Sequence, residues 1–207
     1  MTRKPPLRLF LASVAAFAVV SSTLLAWLST TSAESIGKPT AVQQPSSSSL
    51  YQLESSWSTD NSARIRLREL GGRYLIVAMI FTRCPGVCPT LVRELQALEK
   101  SLPQNVGEKT GFLLVTIDPE FDTPAVLREY RQKMGLAADK WTLLRGEPND
   151  LRELAATLGF DYQPNGPGGF AHSRLVTVLD PGGEVIHQQA DVNSDPIKLI
   201  AAIQKRI

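Results

Sequence analysis

Two thiols four residues apart, Cys84 and Cys88, are the only cysteines in the chain. They stand in Phe81-Thr82-Arg83-Cys84-Pro85-Gly86-Val87-Cys88-Pro89-Thr90, where an apolar run over residues 74–81 gives way to a helical pattern expected to begin near Thr90. In one helical turn, residues at this spacing share a face, with Cβ atoms about 5–6 Å apart. Amides at a helix N-terminus favour the thiolate, the form that binds metal or attacks a disulfide. A disulfide between the two is also compatible with their spacing, but it would enclose too short a loop to stabilise the fold much. The spacing leaves metal binding and thiol–disulfide exchange both open, with Cys84 and Cys88 as the redox-active pair in the second case.

A third group comes from the histidines, of which there are two. His187 alternates with Ile186 along a strand and shares its face with Val185 and Gln189, as an exposed sheet residue would. His172 follows a Gly/Pro-rich loop, residues 163–169, and leads into a strand expected over 173–179. If that loop packs against the start of the cysteine-bearing helix, His172 becomes the candidate third ligand. Two thiolates and an imidazole form a soft, three-coordinate set, whereas structural zinc sites take four ligands. Soft thiolates suit Cu(I), and an imidazole in the set also admits Cu(II). Asp118 and Asp122, in Asp118-Pro119-Glu120-Phe121-Asp122-Thr123-Pro124, are the remaining polar candidates. Asp122 is read mainly as helix-start chemistry and Asp118 as a strand-end residue near the site, and either could support the ligands from behind.

The elements that must position these groups follow from hydrophobic period. Residues 74–81 are apolar on both faces, as a central strand covered on both sides must be. Leu91, Leu95, Leu98 and Leu102 recur at helical spacing until Pro103, and residues 112–117 form a second buried strand. Thr123 with Pro124 opens a helix that carries Val126, Leu127, Tyr130 and Met134 and stops at Gly135. A short strand over 141–144 precedes a helix capped by Asn149 or Asp150. Asp180-Pro181-Gly182-Gly183 turns one strand back into another over 184–189. Asp195-Pro196 then opens a last helix with Ile197, Leu199, Ile200 and Ile203 on its inner face. Earlier, residues 50–58 and 63–70 read as short strands joined to the core by Gly71-Gly72. The order describes an α/β, thioredoxin-like fold with an N-terminal strand extension and an inserted helical segment.

Residues 1–28 read as a transmembrane anchor. Arg3, Lys4 and Arg8 precede an uncharged apolar stretch, residues 9–28, whose ~20 residues match the hydrocarbon core as a helix. Thr31-Ser32-Ala33 resembles a cleavage site, yet the stretch exceeds the ~7–15 residues of an ordinary signal-peptide core, and an uncleaved anchor is the expectation. The basic cluster keeps the N-terminus cytoplasmic. This predicts a single-pass inner-membrane protein whose C-terminal domain faces the periplasm. Residues 29–49, rich in Ser, Pro and Gln, read as a disordered tether, and residues 50–207 as the folded domain. The formal charge of +2 reflects that N-terminal cluster, without which 19 basic face 20 acidic residues. No basic stripe interleaved with aromatics argues for nucleic acid, and Gly166-Pro167-Gly168-Gly169 lacks the strand-to-helix setting that phosphate binding needs.

Three stretches together resemble the Sco/SenC family of membrane-anchored copper proteins: residues 81–90 around the cysteines, Thr116-Ile117-Asp118-Pro119-Glu120-Phe121-Asp122-Thr123-Pro124, and His172-Ser173 followed by a strand and Asp180-Pro181-Gly182-Gly183. The likeness covers residues 50–207, and the anchor and tether match it too. It implies a thioredoxin fold that holds one copper ion through Cys84, Cys88 and His172. It also implies a role in maturing the binuclear copper centre of a respiratory cytochrome oxidase, by delivering copper to an oxidase subunit or another periplasmic copper protein, or by reducing client cysteines. A thiol–disulfide oxidoreductase and a redox sensor are the alternatives. Two positions depart from the common pattern: Gly86 stands where many members carry an acid, and Ala171 precedes His172 where a polar residue is frequent. Both remove polarity that would tune metal affinity.

Overall fold

The computed structural model describes residues 49–207. The anchor expected over 1–28 and the tether expected over 29–49 lie outside them, apart from Ser49. That residue already belongs to the domain, since its hydroxyl donates to the Gly182 carbonyl at 2.5 Å. No helix among the described residues is long and apolar enough to cross a membrane.

A seven-stranded mixed sheet carries the fold. Its central strands, β3 (Tyr74–Ile80) and β4 (Thr110–Thr116), are parallel, and all seven residues of each are buried. Burial on both faces is what their unbroken apolar runs require. β5 (Trp141–Arg145) adds parallel to β4, and β8 (Val176–Leu179) adds antiparallel to β3. The edges are antiparallel: β1 (Ser56–Thr59) with β2 (Arg64–Arg66) beyond β5, and β9 (Val185–Gln189) beyond β8. The connecting helices are α1 (Val87–Ser101), the short α2 (Gln104–Gly107), α3 (Pro124–Met134), α4 (Pro148–Leu158) and α5 (Pro196–Gln204). A separate two-stranded ribbon, β6 (Tyr162–Pro164) with β7 (Phe170–His172), stands apart from the main sheet.

Several elements match the pattern reading. Thr123 caps α3 by accepting from the Val126 amide at 3.4 Å, and Gly135 ends it in the left-handed region at φ 67°. Asp195 caps α5 through the Lys198 amide. Others differ for local reasons. The expected strands over 50–58 and 63–70 shrink to β1 and β2. They are flanked by 3-10 turns at Leu50–Gln52 and Leu67–Leu70, the second burying Leu67 and Leu70 at i, i+3. α4 begins at Pro148 with Glu147 as its cap residue, ahead of Asn149 and Asp150, because proline is pre-set for a first helical turn. Ile197 is 75% exposed, so α5 turns Leu199 and Ile203 inward without it.

The N-terminal hairpin, paired to β5 through β1, is also tied to the body by a buried ion pair. Arg131 on α3 reaches Asp60 through Nε at 2.5 Å and Nη2 at 2.9 Å, and it also donates to the carbonyls of Trp141 and Leu136. Both side chains are largely buried. Removing one partner of a buried pair strands the other's charge, at a cost of about 3–5 kcal/mol. Arg131→Met is expected to lower unfolding free energy by that amount in urea titration, and Arg131→Met with Asp60→Asn to recover much of it.

Candidate metal-binding site

β3 delivers the chain to the site, and a buried carboxylate holds it there. Asp122, fully buried, accepts from the Thr82 amide at 3.0 Å, from the Thr82 hydroxyl and from the Thr116 hydroxyl. It therefore ties the exit of β3 to the end of β4, two residues before Cys84. The expectation that Asp122 is helix-start chemistry is corrected by this geometry, since Thr123 does the capping. Burial pushes the Asp122 carboxyl up, against the pull of the two threonines. The folded state therefore holds this proton more tightly than the unfolded chain, and the group's contribution to stability declines as pH rises from its unfolded pKa through the raised folded value.

α1 begins at Val87, earlier than the expected start near Thr90. Pro89 looks like a boundary in the sequence, but in a first helical turn its missing N–H costs nothing. Only Cys88 is therefore inside the helix, and Cys84 lies in the turn before it. The sulfurs still meet one region, because the Cys88 amide donates to Cys84 Sγ at 3.3 Å. Both residues are buried free thiols.

The two thiols are electrostatically unlike. At Cys84 burial raises the pKa, but hydrogen bonds from the backbone at Cys88, Gly86 and Val87 outweigh it and leave the thiol below its usual range. At Cys88, fully buried, burial dominates and pushes the thiol up to about 12.

His172 ends β7, within the ribbon; the strand expected to follow it at 173 starts only at Val176. The Gly/Pro-rich stretch 163–169 supplies the end of β6 and the ribbon's tip. His172 Nδ1 lies 2.7 Å from the Ser173 carbonyl, an acceptor, so the proton sits on Nδ1 and Nε2 presents its lone pair. Nε2 is 3.7 Å from Cys88 Sγ. The ring is stacked on Phe160 and lies edge-on to Phe81, with centroids 5.9 Å away in each case. Phe81 belongs to the stretch singled out around the cysteines, whereas nothing in the sequence points to Phe160.

One atom each from Cys84, Cys88 and His172 falls within 4.8 Å of the other two. A trigonal ion bound at ~2.3 Å, the zinc–thiolate length, sets its ligand atoms about 4.0 Å apart. The group therefore has to draw in by less than about 1 Å to close on a single ion. Among the described residues this is the only such cluster. His187 takes no part; its Nε2 pairs with Gln189 Oε1 at 3.0 Å. Asp118 faces the site indirectly, through Arg83, whose Nε and Nη2 lie 3.1 and 2.5 Å from Asp118 Oδ2. Gly86 and Ala171 are both exposed, and a Cβ on Gly86 would meet nothing within 4 Å. An acid would fit at 86, so its absence has no steric reason. A cavity of about 510 Å³ opens onto the group between Cys84, Val87, Pro167, Gly168, Phe170 and His172.

These environments predict an order of reaction for the reduced, metal-free chain. Iodoacetamide is expected to modify Cys84 first, at a rate that falls only as pH drops through a pKa below the ordinary thiol value, while Cys88 lags at every pH under about 12. Peptide mapping of the alkylated chain reads the order, and faster labelling of Cys88 would contradict it.

The family model described as SCO1/SenC matches residues 46–207. A Stutzerimonas stutzeri protein named as copper-binding is 29% identical over 136 residues, which are 63% of this chain and 65% of that protein. The SCO1 protein homolog of Bacillus subtilis is 24% identical over 151 residues, 70% of this chain and 77% of that one. The chain thus spans just under two thirds of the first relative and about three quarters of the second. Among solved structures, copper-bound ScoI of Arabidopsis thaliana superposes with a TM-score of 0.65 at 24% identity, covering 72% of this chain and 96% of that one. That likeness bears on the fold, a mixed α/β arrangement of the Sco1 thioredoxin-like type, and the family match bears on descent. This chain belongs to the SCO1/SenC family.

Proposed function

We propose that this protein is a copper-carrying assembly factor. Cys84, Cys88 and His172 hold one copper ion as cargo, for delivery to the copper centre of a respiratory cytochrome oxidase or to another periplasmic copper protein. In this reading residues 9–28 anchor the chain in the inner membrane and the domain works on the periplasmic side. The convergence of two sulfurs and one imidazole nitrogen within 4.8 Å carries the proposal. Softness of the set favours Cu(I), and the imidazole also admits Cu(II). Family membership and the copper named for a relative and for a structural neighbour support it.

The arrangement suits transfer better than storage. Three ligands leave the ion open to a fourth, and the cavity beside Cys84 gives an acceptor's thiolate or imidazole a path to it. An incoming ligand can bind before one of the three lets go, so the ion is never bare. Val87, 44% exposed, lines that cavity, and Phe121, 43% exposed, lies against Arg83; both supply apolar surface against which an acceptor can seat.

The unlike thiols favour a second reading, thiol–disulfide exchange. Cys84, acidified and nearer the surface, would attack a client disulfide as the thiolate. Cys88, held protonated by burial until then, would give up its proton as it attacks Cys84 Sγ, closing the Cys84–Cys88 disulfide while the client's sulfur leaves and takes up that proton as a thiol.

Substitution at His172 separates the two. Cu(I) titration of the reduced protein, with X-ray absorption to identify ligands, is expected to show one copper bound by two sulfurs and one nitrogen. His172→Ala is expected to weaken that binding by about 100-fold or more, beyond the range seen for outer-shell changes, with disulfide-exchange rates nearly unchanged. Equal copper affinity in His172→Ala and the parent chain would remove the cargo reading and leave exchange.

A further inference from the structure

The histidine is carried on the least supported piece of the fold. A two-stranded ribbon is at best marginally stable by itself, and β6–β7 has three paired residues on each strand and no partner in the main sheet. Something outside the ribbon must hold its tip in place if His172 Nε2 is to stay near the sulfurs. Phe170, where β7 leaves the tip, does part of this, edge-on to Phe81 with centroids 5.3 Å apart. At the tip, the neighbour is Arg83.

Arg83 immediately precedes Cys84, and its guanidinium is pinned from two directions. Nε and Nη2 donate to Asp118 Oδ2, whose residue is almost fully buried, and Cζ lies 4.0 Å from the centroid of the Phe121 ring. Nη1, the remaining nitrogen, points to the ribbon. A Cβ on Gly168 would fall 2.5 Å from Arg83 Nη1 and 2.8 Å from Cζ. The guanidinium therefore occupies the space where a side chain at 168 would go. Gly168 sits at φ 66°, and the tip is further closed by the Asn165 amide donating to the Gly169 carbonyl at 2.9 Å. One planar group thus touches the loop after β4, the segment bearing Cys84 and the tip of the ribbon bearing His172.

We propose that Arg83 is a positioning residue: pinned by Asp118 and Phe121, its guanidinium braces the ribbon at Gly168 and keeps His172 Nε2 within reach of Cys84 and Cys88. The fork geometry matters, because a lysine offers neither two aligned donors to one carboxylate nor a planar face for Phe121. The consequence for copper rests on the cargo reading above; the mechanical consequence does not.

Amide hydrogen exchange and Cu(I) competition on the reduced full chain in mild detergent test the brace, with Arg83→Gln, Arg83→Lys and Gly168→Ala compared with the parent. Arg83→Gln is expected to raise exchange at Asn165 and Gly169 and to weaken copper binding by about 10-fold or more, with Arg83→Lys failing to restore either. Gly168→Ala leaves Arg83 and Asp118 both present, yet crowds the guanidinium and strains the backbone at φ 66°, so it is expected to shift both readouts in the same direction, and by more with Arg83 present than in the Arg83→Gln background. Exchange at Asn165 and Gly169 unchanged in both Arg83→Gln and Gly168→Ala would overturn the brace. Faster exchange with parental copper affinity would overturn its role in positioning His172. If the parent chain binds no copper, the cargo reading falls, and the exchange data decide the brace alone.

Discussion

The site depends on one buried carboxyl group. Asp122 has no access to solvent, and its acceptor capacity is taken up by Thr82 and Thr116, one from the end of each central strand. A carboxyl in that position is costly unless its hydrogen bonds are made, so the two strand ends cannot drift apart without exposing it. This fixes where the chain leaves the sheet, and two residues later Cys84 inherits that position. Cys88 follows from Cys84 through the amide-to-sulfur hydrogen bond at the head of α1.

From that fixed point the two sulfurs acquire different characters. Cys84 lies in the turn, where successive amides converge on it; Cys88 lies inside the helix with hydrophobic surroundings and no exposure. The asymmetry serves either chemistry considered for the family member. In ligand exchange it marks Cys84 as the sulfur an acceptor meets. In disulfide exchange it marks Cys84 as the attacking group and Cys88 as the resolving one.

The imidazole arrives by a looser route. Its tautomer is set locally, by the Ser173 carbonyl at Nδ1, and its plane by Phe160 and Phe81. Its distance from the sulfurs depends on a short ribbon outside the main sheet. A dithiol corner fixed by the central strands thus faces a histidine whose place depends on contacts outside its own ribbon.

Much of this was legible in the residues. Apolar runs on both faces of 74–81 and 112–117 demanded covered central strands, and Thr123-Pro124, Gly135 and Asp195-Pro196 marked helix ends because their backbone preferences act within a turn. The ligand types and the Cys84–Cys88 spacing were equally plain. Less legible were the helix start at Val87, masked by a proline that is harmless in a first turn, and the ribbon, whose pairing joins residues on both sides of a glycine-rich loop. Arg83 gave no sign of its role, since nothing local links it to Gly168, 85 positions away. The sequence by itself determined which groups could do chemistry and which segments would be strand or helix, because propensity and capping are decided within a few residues. Only the tertiary structure decided that Nε2 of His172 faces Cys88, that Asp122 is a buried tie and not a cap, and that the two thiols differ in acidity. Each of these depends on distance and burial between segments far apart in the chain, which no local pattern encodes.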